Sequence, residues 1–167
     1  MKKLAPASGR RAPADAAPGK PIARFRLEAM PPKARGELAE ARFVAKAMAL
    51  GITVSKPFGD SAKYDFLIDA GGKLSRVQVK SAWVKSGKGY QVMAGPGCHP
   101  NCPSRRKYRR NEIDFLLAYL APEDAWFVFP ITVLRRTYVR WNPQSQRRLA
   151  QYREAWQQLF GREAAGR

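Results

Sequence analysis

Residues 64–80, YDFLIDAGGKLSRVQVK, contain two runs of β-forming side chains on either side of Gly71 and Gly72. A glycine pair supplies the positive φ angles that a two-residue hairpin turn requires. With these glycines at the turn centre, residues whose numbers sum to 143 face each other, as 71 and 72 do. The stretch therefore predicts an antiparallel hairpin in which Asp65 lies opposite Gln78.

Alternation along the two predicted strands divides their side chains between two faces. Gln78 and Lys80 lie on the same side as Asp65, and directly opposed Cβ atoms are about 4.5 to 5.5 Å apart. The other face is expected to be buried, because its members are mostly apolar: Tyr64, Phe66, Ile68, Val77 and Val79. One face is thus predicted to be core, and the other to gather an acid, an amide and a lysine.

Those three polar side chains suit the hydrolysis of a phosphodiester. Mg²⁺ prefers oxygen ligands, which the Asp65 carboxylate and the Gln78 amide can supply. The Lys80 ammonium can stabilise charge on the phosphate, or help to deprotonate or orient the attacking water. The alternative is a cross-strand ion pair between Asp65 and Lys80 on a solvated face, and spacing alone slightly favours that simpler interpretation.

A helix is predicted over residues 37–50, ELAEARFVAKAMAL, because apolar side chains recur at helical spacing and Gly51 follows as a stop. We expect the folded structure to begin at about Gly36. Glu40 lies at the edge of the apolar stripe, where a carboxylate is unfavourable unless it is paired or binds a cation. Glu37 has the ordinary role of favouring the helix dipole. Glu40 is therefore the preferred third ligand.

The rest of the predicted domain consists of strands and one more helix. Residues 52–55 are a short strand candidate, and residues 113–120 and 126–134 predict a second strand pair. Apolar spacing across residues 149–159 predicts a C-terminal amphipathic helix. The polar stretch 86–110 is too long for a simple connection and is predicted to be functional or disordered.

The net charge is the strongest global feature of the 167 residues. Lys and Arg number 31 against 13 Asp and Glu, which gives +18, while 45% of the residues are hydrophobic. So large an excess is expected to meet a polyanion, most commonly nucleic acid. A membrane surface is less favoured, since no run of about 18 apolar residues and no signal-peptide core is present. We expect a soluble, cytoplasmic, nucleoid-associated protein, and its two cysteines agree with a reducing compartment.

The chain is divided into one domain and two tails. Residues 1–33 carry eight basic and two acidic residues among many Ala and Pro, which predicts a disordered basic tail. Residues 34–160 are the expected domain, and residues 161–167 a short tail. The basic tail either attracts phosphates nonspecifically or has no specific role.

Two clusters of basic residues are candidate surfaces for phosphate contacts. They contain Arg105, Arg106, Lys107, Arg109 and Arg110 in the first, and Arg135, Arg136, Arg140, Arg147 and Arg148 in the second. A solvated basic face is the simpler alternative. Contacts to phosphate would position the protein without reading base sequence.

Cys98, His99 and Cys102 have side chains that bind zinc, but they are less favoured as a metal site. A closed structural zinc site takes four ligands, and these three are all the Cys and His residues of the chain.

Several segments carry a resemblance to a known family. KARGELAE, KPFGDSAKYDFLID, RVQVKSAW, IDFLLAY, WFVFP and YREAW follow one another between about Lys33 and about Phe160. In order and spacing the chain resembles the group I intron-associated PD-(D/E)xK endonucleases. This resemblance implies an α/β restriction-endonuclease-like core, a mixed β-sheet flanked by helices.

The resemblance also implies roles for individual residues. Asp65 takes the place of the first metal carboxylate, Gln78 of the second acid, Lys80 of the motif lysine and Glu40 of the helix acid. Two positions depart from the named motif: Tyr64 replaces the proline, and Gln78 replaces an Asp or Glu. The second departure removes a negative charge and should weaken metal binding, although the intron-associated branch resembles this chain in carrying Gln there.

The implied activity is site-specific, homing-type hydrolysis of double-stranded DNA with Mg²⁺, for which Mn²⁺ can substitute. Cutting both strands needs two active sites, so we expect a homo-oligomer, a dimer or tetramer. Two alternatives stay open: a junction-resolving or DNA-repair nuclease of the same fold, and a non-catalytic DNA-binding protein with a decayed site.

Overall fold

The fold is taken from a computed structural model that describes residues 30–83, 87, 89–96, 106–142 and 147–161. Its regular elements, in chain order, are a helix α1 (Pro32–Ala49) and the strands β1 (Thr53–Ser55), β2 (Phe66–Ala70), β3 (Lys73–Ala82), β4 (Tyr90–Met93), β5 (Phe115–Leu120), β6 (Ala125–Pro130) and β7 (Tyr138–Trp141). Short 3₁₀ helices span Ala121–Glu123, Ile131–Val133, Arg147–Tyr152 and Trp156–Leu159.

Five strands form the central sheet in the order β1-β2-β3-β5-β6. β3 and β5 run parallel, and the other neighbours are antiparallel. β4 and β7 pair separately as a two-stranded antiparallel sheet. The expected α/β class with a mixed sheet is therefore confirmed.

The hairpin of β2 and β3 has the predicted register. Phe66 faces Val77 and Ala70 faces Lys73, and both pairs sum to 143. Gly71 and Gly72 have φ angles of 66° and 82°, a conformation that costs glycine little because it lacks a Cβ. This register brings Asp65, immediately before β2, to the level of Gln78.

Two hydrophobic clusters cover the two faces of the sheet. α1 packs on one face through Ala39, Phe43 and Ala47, and the β4–β7 pair covers the other together with 3₁₀ segments. Helices were expected to flank the sheet, and in the described part of the chain one α-helix, α1, does so. Tyr64 packs with the second cluster. Its assignment to the same face as Phe66 was wrong, because the chain has not yet entered β2 at residue 64.

Two boundaries differ from expectation. α1 begins at Pro32, before the expected start at about Gly36, because proline at the first helical position loses no hydrogen bond. The second strand of the pair 113–120 and 126–134 ends at Pro130, and the chain continues as a 3₁₀ turn.

The C-terminal segment is not the single amphipathic helix that its spacing predicted. Leu149 and Tyr152 pack with one cluster, whereas Trp156 and Leu159 are buried in the other. Between them Glu154 has a φ of 49° and exchanges two hydrogen bonds with Trp126, of 2.9 Å and 2.7 Å. The segment therefore passes along β6 from one face of the sheet to the other, which one straight helix cannot do.

Several expectations fall outside the described residues. These are most of the two tails, at 1–29 and 162–167, together with Arg105 and the zinc candidates Cys98, His99 and Cys102. The described part of the polar stretch 86–110 includes a strand, β4. Within the described ranges, no helix combines the length and hydrophobicity that crossing a membrane demands.

Candidate active site

A cleft of about 340 Å³ lies between the N-terminal half of α1 and the strand β3. All four of the site residues predicted from the sequence line it: Glu40, Asp65, Gln78 and Lys80. Arg35, Ser81 and Trp83 complete one wall, where the Arg35 guanidinium lies 5.9 Å from the Trp83 ring. The structure therefore brings together the residues predicted from the hairpin and from the helix.

Asp65 is held rigidly at the base of the cleft. Its backbone N–H donates to the carbonyl of Val77 at 2.9 Å, although the register would pair it with Gln78, so the strand pairing shifts by one residue just before β2. Its Oδ2 accepts hydrogen bonds from the backbone N–H of Val79, at 2.8 Å, and from Nε2 of Gln78. No described residue donates to Oδ1, so this oxygen can bind a cation.

Burial raises the pKa of the Asp65 carboxyl above its ordinary value. The Val79 hydrogen bond and the Lys80 charge lower this pKa, and the negative charge of Glu40 raises it. A buried carboxylate near a second carboxylate is unfavourable without a compensating cation. The electrostatics therefore fit a site for a positive ion.

Gln78 is buried, with only 6% of its surface exposed. Its Nε2 donates both to Asp65 and to the carbonyl oxygen of Val79, at 3.3 Å. Since both partners are acceptors, the amide nitrogen must face them, and Oε1 turns away. Oε1 of Gln78 accepts no hydrogen bond from a described residue. Among the described residues, Trp141 Nε1 is the one fully buried side-chain polar atom without a partner, so Oε1 of Gln78 is not fully buried and reaches solvent.

Lys80 lies two residues beyond Gln78 on β3 and is half-buried. It forms no ion pair with Asp65, although the two charges are close enough to lower the pKa of the Asp65 carboxyl. Both faces of β3 are covered. The alternative of a cross-strand ion pair on a solvated face is therefore wrong.

Glu40 projects from α1 into the same cleft and is paired with a residue that the sequence analysis missed. Lys56, directly after β1, donates from Nζ to Oε2 of Glu40 at 2.8 Å. Lys56 lies within KPFGD, one of the segments that carry the resemblance, but its residue type gave no separate signal. Only the packing of α1 against the sheet shows that the two residues meet.

The donor set suits one divalent cation of the hard, oxygen-binding class. Asp65 Oδ1, Gln78 Oε1 and a Glu40 oxygen are the candidate ligands, and Mg²⁺ commonly takes one or two carboxylates and keeps several waters. No group of three or more His, Cys, Asp and Glu residues suited to a metal occurs in the described ranges. The site thus has two carboxylates, in agreement with Gln78 in place of an acid.

The basic clusters divide into residues that are engaged and residues that are exposed. Arg106 forms a bidentate ion pair with Glu112, at 2.6 Å and 2.7 Å, and so has a structural role. Lys107 reaches the carbonyl of Leu134 at 3.5 Å, which joins the first cluster to the second. The exposed members of the two clusters are Lys107, Arg109, Arg110, Arg135, Arg136, Arg147 and Arg148.

A groove of about 720 Å³ adjoins the second cluster. Its walls combine apolar side chains with the guanidinium-bearing residues Arg135, Arg136, Arg140, Arg147 and Arg148. Arg140 is partly engaged, since it donates to Oε1 of Gln91 at 2.9 Å and lies 5.5 Å from the Tyr138 ring. The two clusters and this groove form one continuous basic region.

Comparisons with known proteins agree with this geometry. No curated protein matches the chain. Among solved structures, the bacterial homing endonuclease I-Ssp6803I is similar, with a TM-score of 0.71 and 32% identity over 82% of this chain and 98% of the other. The profile of the PD-(D/E)XK endonucleases matches residues 30–159, which include all four cleft residues. The chain therefore belongs to the PD-(D/E)XK endonuclease family.

Proposed function

We propose that this endonuclease is a site-specific, homing-type enzyme that hydrolyses double-stranded DNA with Mg²⁺, for which Mn²⁺ can substitute. The observation that carries the proposal is the convergence of Asp65, Gln78, Glu40 and Lys80 on one cleft. The similarity to a homing endonuclease supports the finer assignment.

Each cleft residue has a distinct role in this proposal. Asp65, Gln78 and Glu40 would hold the divalent ion. When bound, the ion would act as a Lewis acid and lower the pKa of a water molecule bound to it. The Val79 N–H and the Gln78 amide fix the Asp65 carboxylate, so that its free oxygen keeps one direction. Lys80 stabilises the negative charge that develops on the scissile phosphate. The products are a 3′-hydroxyl and a 5′-phosphate.

The basic region binds the DNA backbone. Arg109, Arg110, Arg135 and Arg136 are exposed, and Lys107 joins their segments, so together they can follow the phosphates of one duplex. Arg105 belongs to the same proposal from sequence alone. Two cuts require two cleft copies, which favours a homo-oligomer, a dimer or tetramer, acting on DNA inside the cell near the nucleoid.

The test is cleavage of a plasmid pool that carries random inserts. Wild type with Mg²⁺ or Mn²⁺ should cut a subset of plasmids, and sequencing the ends would give the site. Asp65→Ala and samples with EDTA should not cut. Asp60→Ala, an exposed acid outside the cleft, is the matched control and should cut normally.

Other outcomes distinguish the remaining functions. Salt-dependent binding of duplex without any cleavage, from a pool known to contain the target, would favour a non-catalytic DNA-binding protein. Preferential cutting of four-way junctions over linear duplex would favour a junction-resolving nuclease.

A further inference from the structure

The Lys56 ammonium forms an ion pair with the carboxylate of Glu40, which the proposed function assigns to the metal. Its Nζ lies 2.8 Å from Oε2 of Glu40, and the aliphatic chain places the ammonium 5.6 Å from the centre of the Phe66 ring. The Glu40 side chain is 27% exposed and that of Lys56 is 66% exposed. The ammonium thus contacts one of the two oxygens that the cleft residue Glu40 can offer to a metal ion.

The two carboxylates of the cleft, Glu40 and Asp65, have like charges that are unfavourable together in the metal-free enzyme. Glu40 and Asp65 are close enough to repel each other, and Lys56 is attracted to both. An ammonium and a divalent ion bind a carboxylate by the same Coulomb attraction, so both cannot hold one oxygen at full strength. Lys80 does not fill this place, because it has no ion pair with any described carboxylate.

We propose that Lys56 is a positioning residue that neutralises Glu40 in the metal-free enzyme and competes with the divalent ion for it. The inference rests on the proposed metal site. A divalent ion on Glu40 repels the Lys56 ammonium and weakens the Lys56–Glu40 pair, so part of the metal-binding energy is offset by that loss. Lys56 therefore weakens metal affinity while it keeps the empty site compact and Glu40 oriented.

The test is calorimetric titration of Mn²⁺ into the full chain without DNA, which reads metal binding independently of cleavage. Lys56→Met keeps an unbranched side chain and removes the charge, and with it the contact of the ammonium with the Phe66 ring. Exposed ion pairs contribute about 0.2 to 1 kcal/mol, so we expect Lys56→Met to bind Mn²⁺ roughly 1.4- to fivefold more tightly than wild type. Lys56→Arg, which keeps the charge, should bind Mn²⁺ as wild type does.

Lys46→Met is the matched control on charge. Lys46 also pairs with a carboxylate, Glu154, at 3.4 Å, but it lies outside the cleft. Its replacement should leave the Mn²⁺ affinity unchanged. A double-mutant cycle adds a second condition, because Lys56→Met should no longer tighten binding once Glu40→Gln has removed the shared carboxylate.

The results separate this inference from the proposed function. Unchanged or weaker Mn²⁺ binding in folded Lys56→Met, or in Lys56→Gln if the first variant does not melt cooperatively, overturns the competition. If wild type still binds Mn²⁺ and cuts DNA, the proposed function stands. Absence of saturable Mn²⁺ binding in wild type overturns the competition, and absence of metal-dependent cleavage overturns the proposed function.

Discussion

The side-chain amide of Gln78 donates to Oδ2 of Asp65, and this hydrogen bond orients the Asp65 carboxylate in the cleft. An acid at position 78 could not make that bond when ionised. It would face a second carboxylate, and the repulsion would be relieved only by a cation.

Gln78→Glu should therefore make the protein more dependent on metal. Without metal we expect a loss of about 1 to 3 kcal/mol of unfolding free energy, since a buried hydrogen bond is replaced by like charges. With Mn²⁺ the loss should shrink, because the added carboxylate is a stronger ligand. Thermal melting with and without Mn²⁺ measures both values, and Gln78→Met, which lacks the charge, should show no metal-dependent recovery. Equal melting curves for wild type and Gln78→Glu would contradict the assigned contact.

Lys80→Ala should lower the cleavage rate by about 10² to 10³-fold, the usual effect of removing one group that stabilises transition-state charge. Duplex binding should persist, because the exposed arginines lie elsewhere. Single-turnover cleavage and a binding titration on the same DNA provide the measurement. Lys73→Met removes the same charge from β3 outside the cleft and should keep most of the cleavage rate. Loss of binding in parallel with cleavage would argue against a role at the reacting phosphate.

Replacing Arg109, Arg110, Arg135 or Arg136 by Ala should weaken duplex binding without changing thermal stability. Each lost phosphate contact should reduce the slope of log affinity against log salt by about 0.9. Binding titrations at several salt concentrations give this slope. Arg106→Ala is the informative contrast. It removes the ion-pair partner of Glu112, so its main effect should be a lower melting temperature. An unchanged slope for all four variants would place the DNA elsewhere.

Glu112 should make part of the stability dependent on pH. Hydrogen bonds from Arg106 hold the pKa of the Glu112 carboxyl at about 2, below its ordinary value of 4.5. A lowered pKa in the folded state stabilises the protein above pH 4.5, and this contribution is lost as the pH falls toward 2. Because the Arg106 side chain is 36% exposed, we expect about 1 to 2 kcal/mol.

The comparison of wild type with Glu112→Gln at several pH values tests this expectation. The variant should be less stable at pH 7, and the difference should decline below pH 4.5 and vanish near pH 2. Denaturant unfolding gives the free energies. A difference that does not depend on pH would mean that the pair contributes by packing and not by charge.

Local chemistry made several features predictable from the amino-acid sequence. The glycine pair at 71 and 72 specifies one hairpin register, and that register brings Asp65, next to β2, within hydrogen-bonding reach of Gln78. The apolar stripe of α1 places Glu40 at its edge. These relationships depend on residues that are close in sequence, so periodicity and turn geometry are sufficient to state them.

The covering of the second face of the sheet was not predictable in this way. β4 and β7 pair across a separation of about fifty residues, with Tyr90 opposite Trp141, and each strand has only 4 residues. Their packing covers the face that the hairpin pattern suggested to be solvated, where Gln78 keeps only 6% of its surface exposed. Only that burial forces the Gln78 amide to satisfy Asp65 and Val79.

The same limit applies to the C-terminal segment and to Lys56. The apolar residues at helical spacing across 149–159 pack on opposite faces of the sheet. Glu154 hydrogen-bonds to Trp126 and has a positive φ, which turns the chain between them. Lys56 meets Glu40 because α1 packs over the sheet beside β1. Spacing along a chain specifies which side chains can share a face of one element, whereas long-range packing specifies which elements meet.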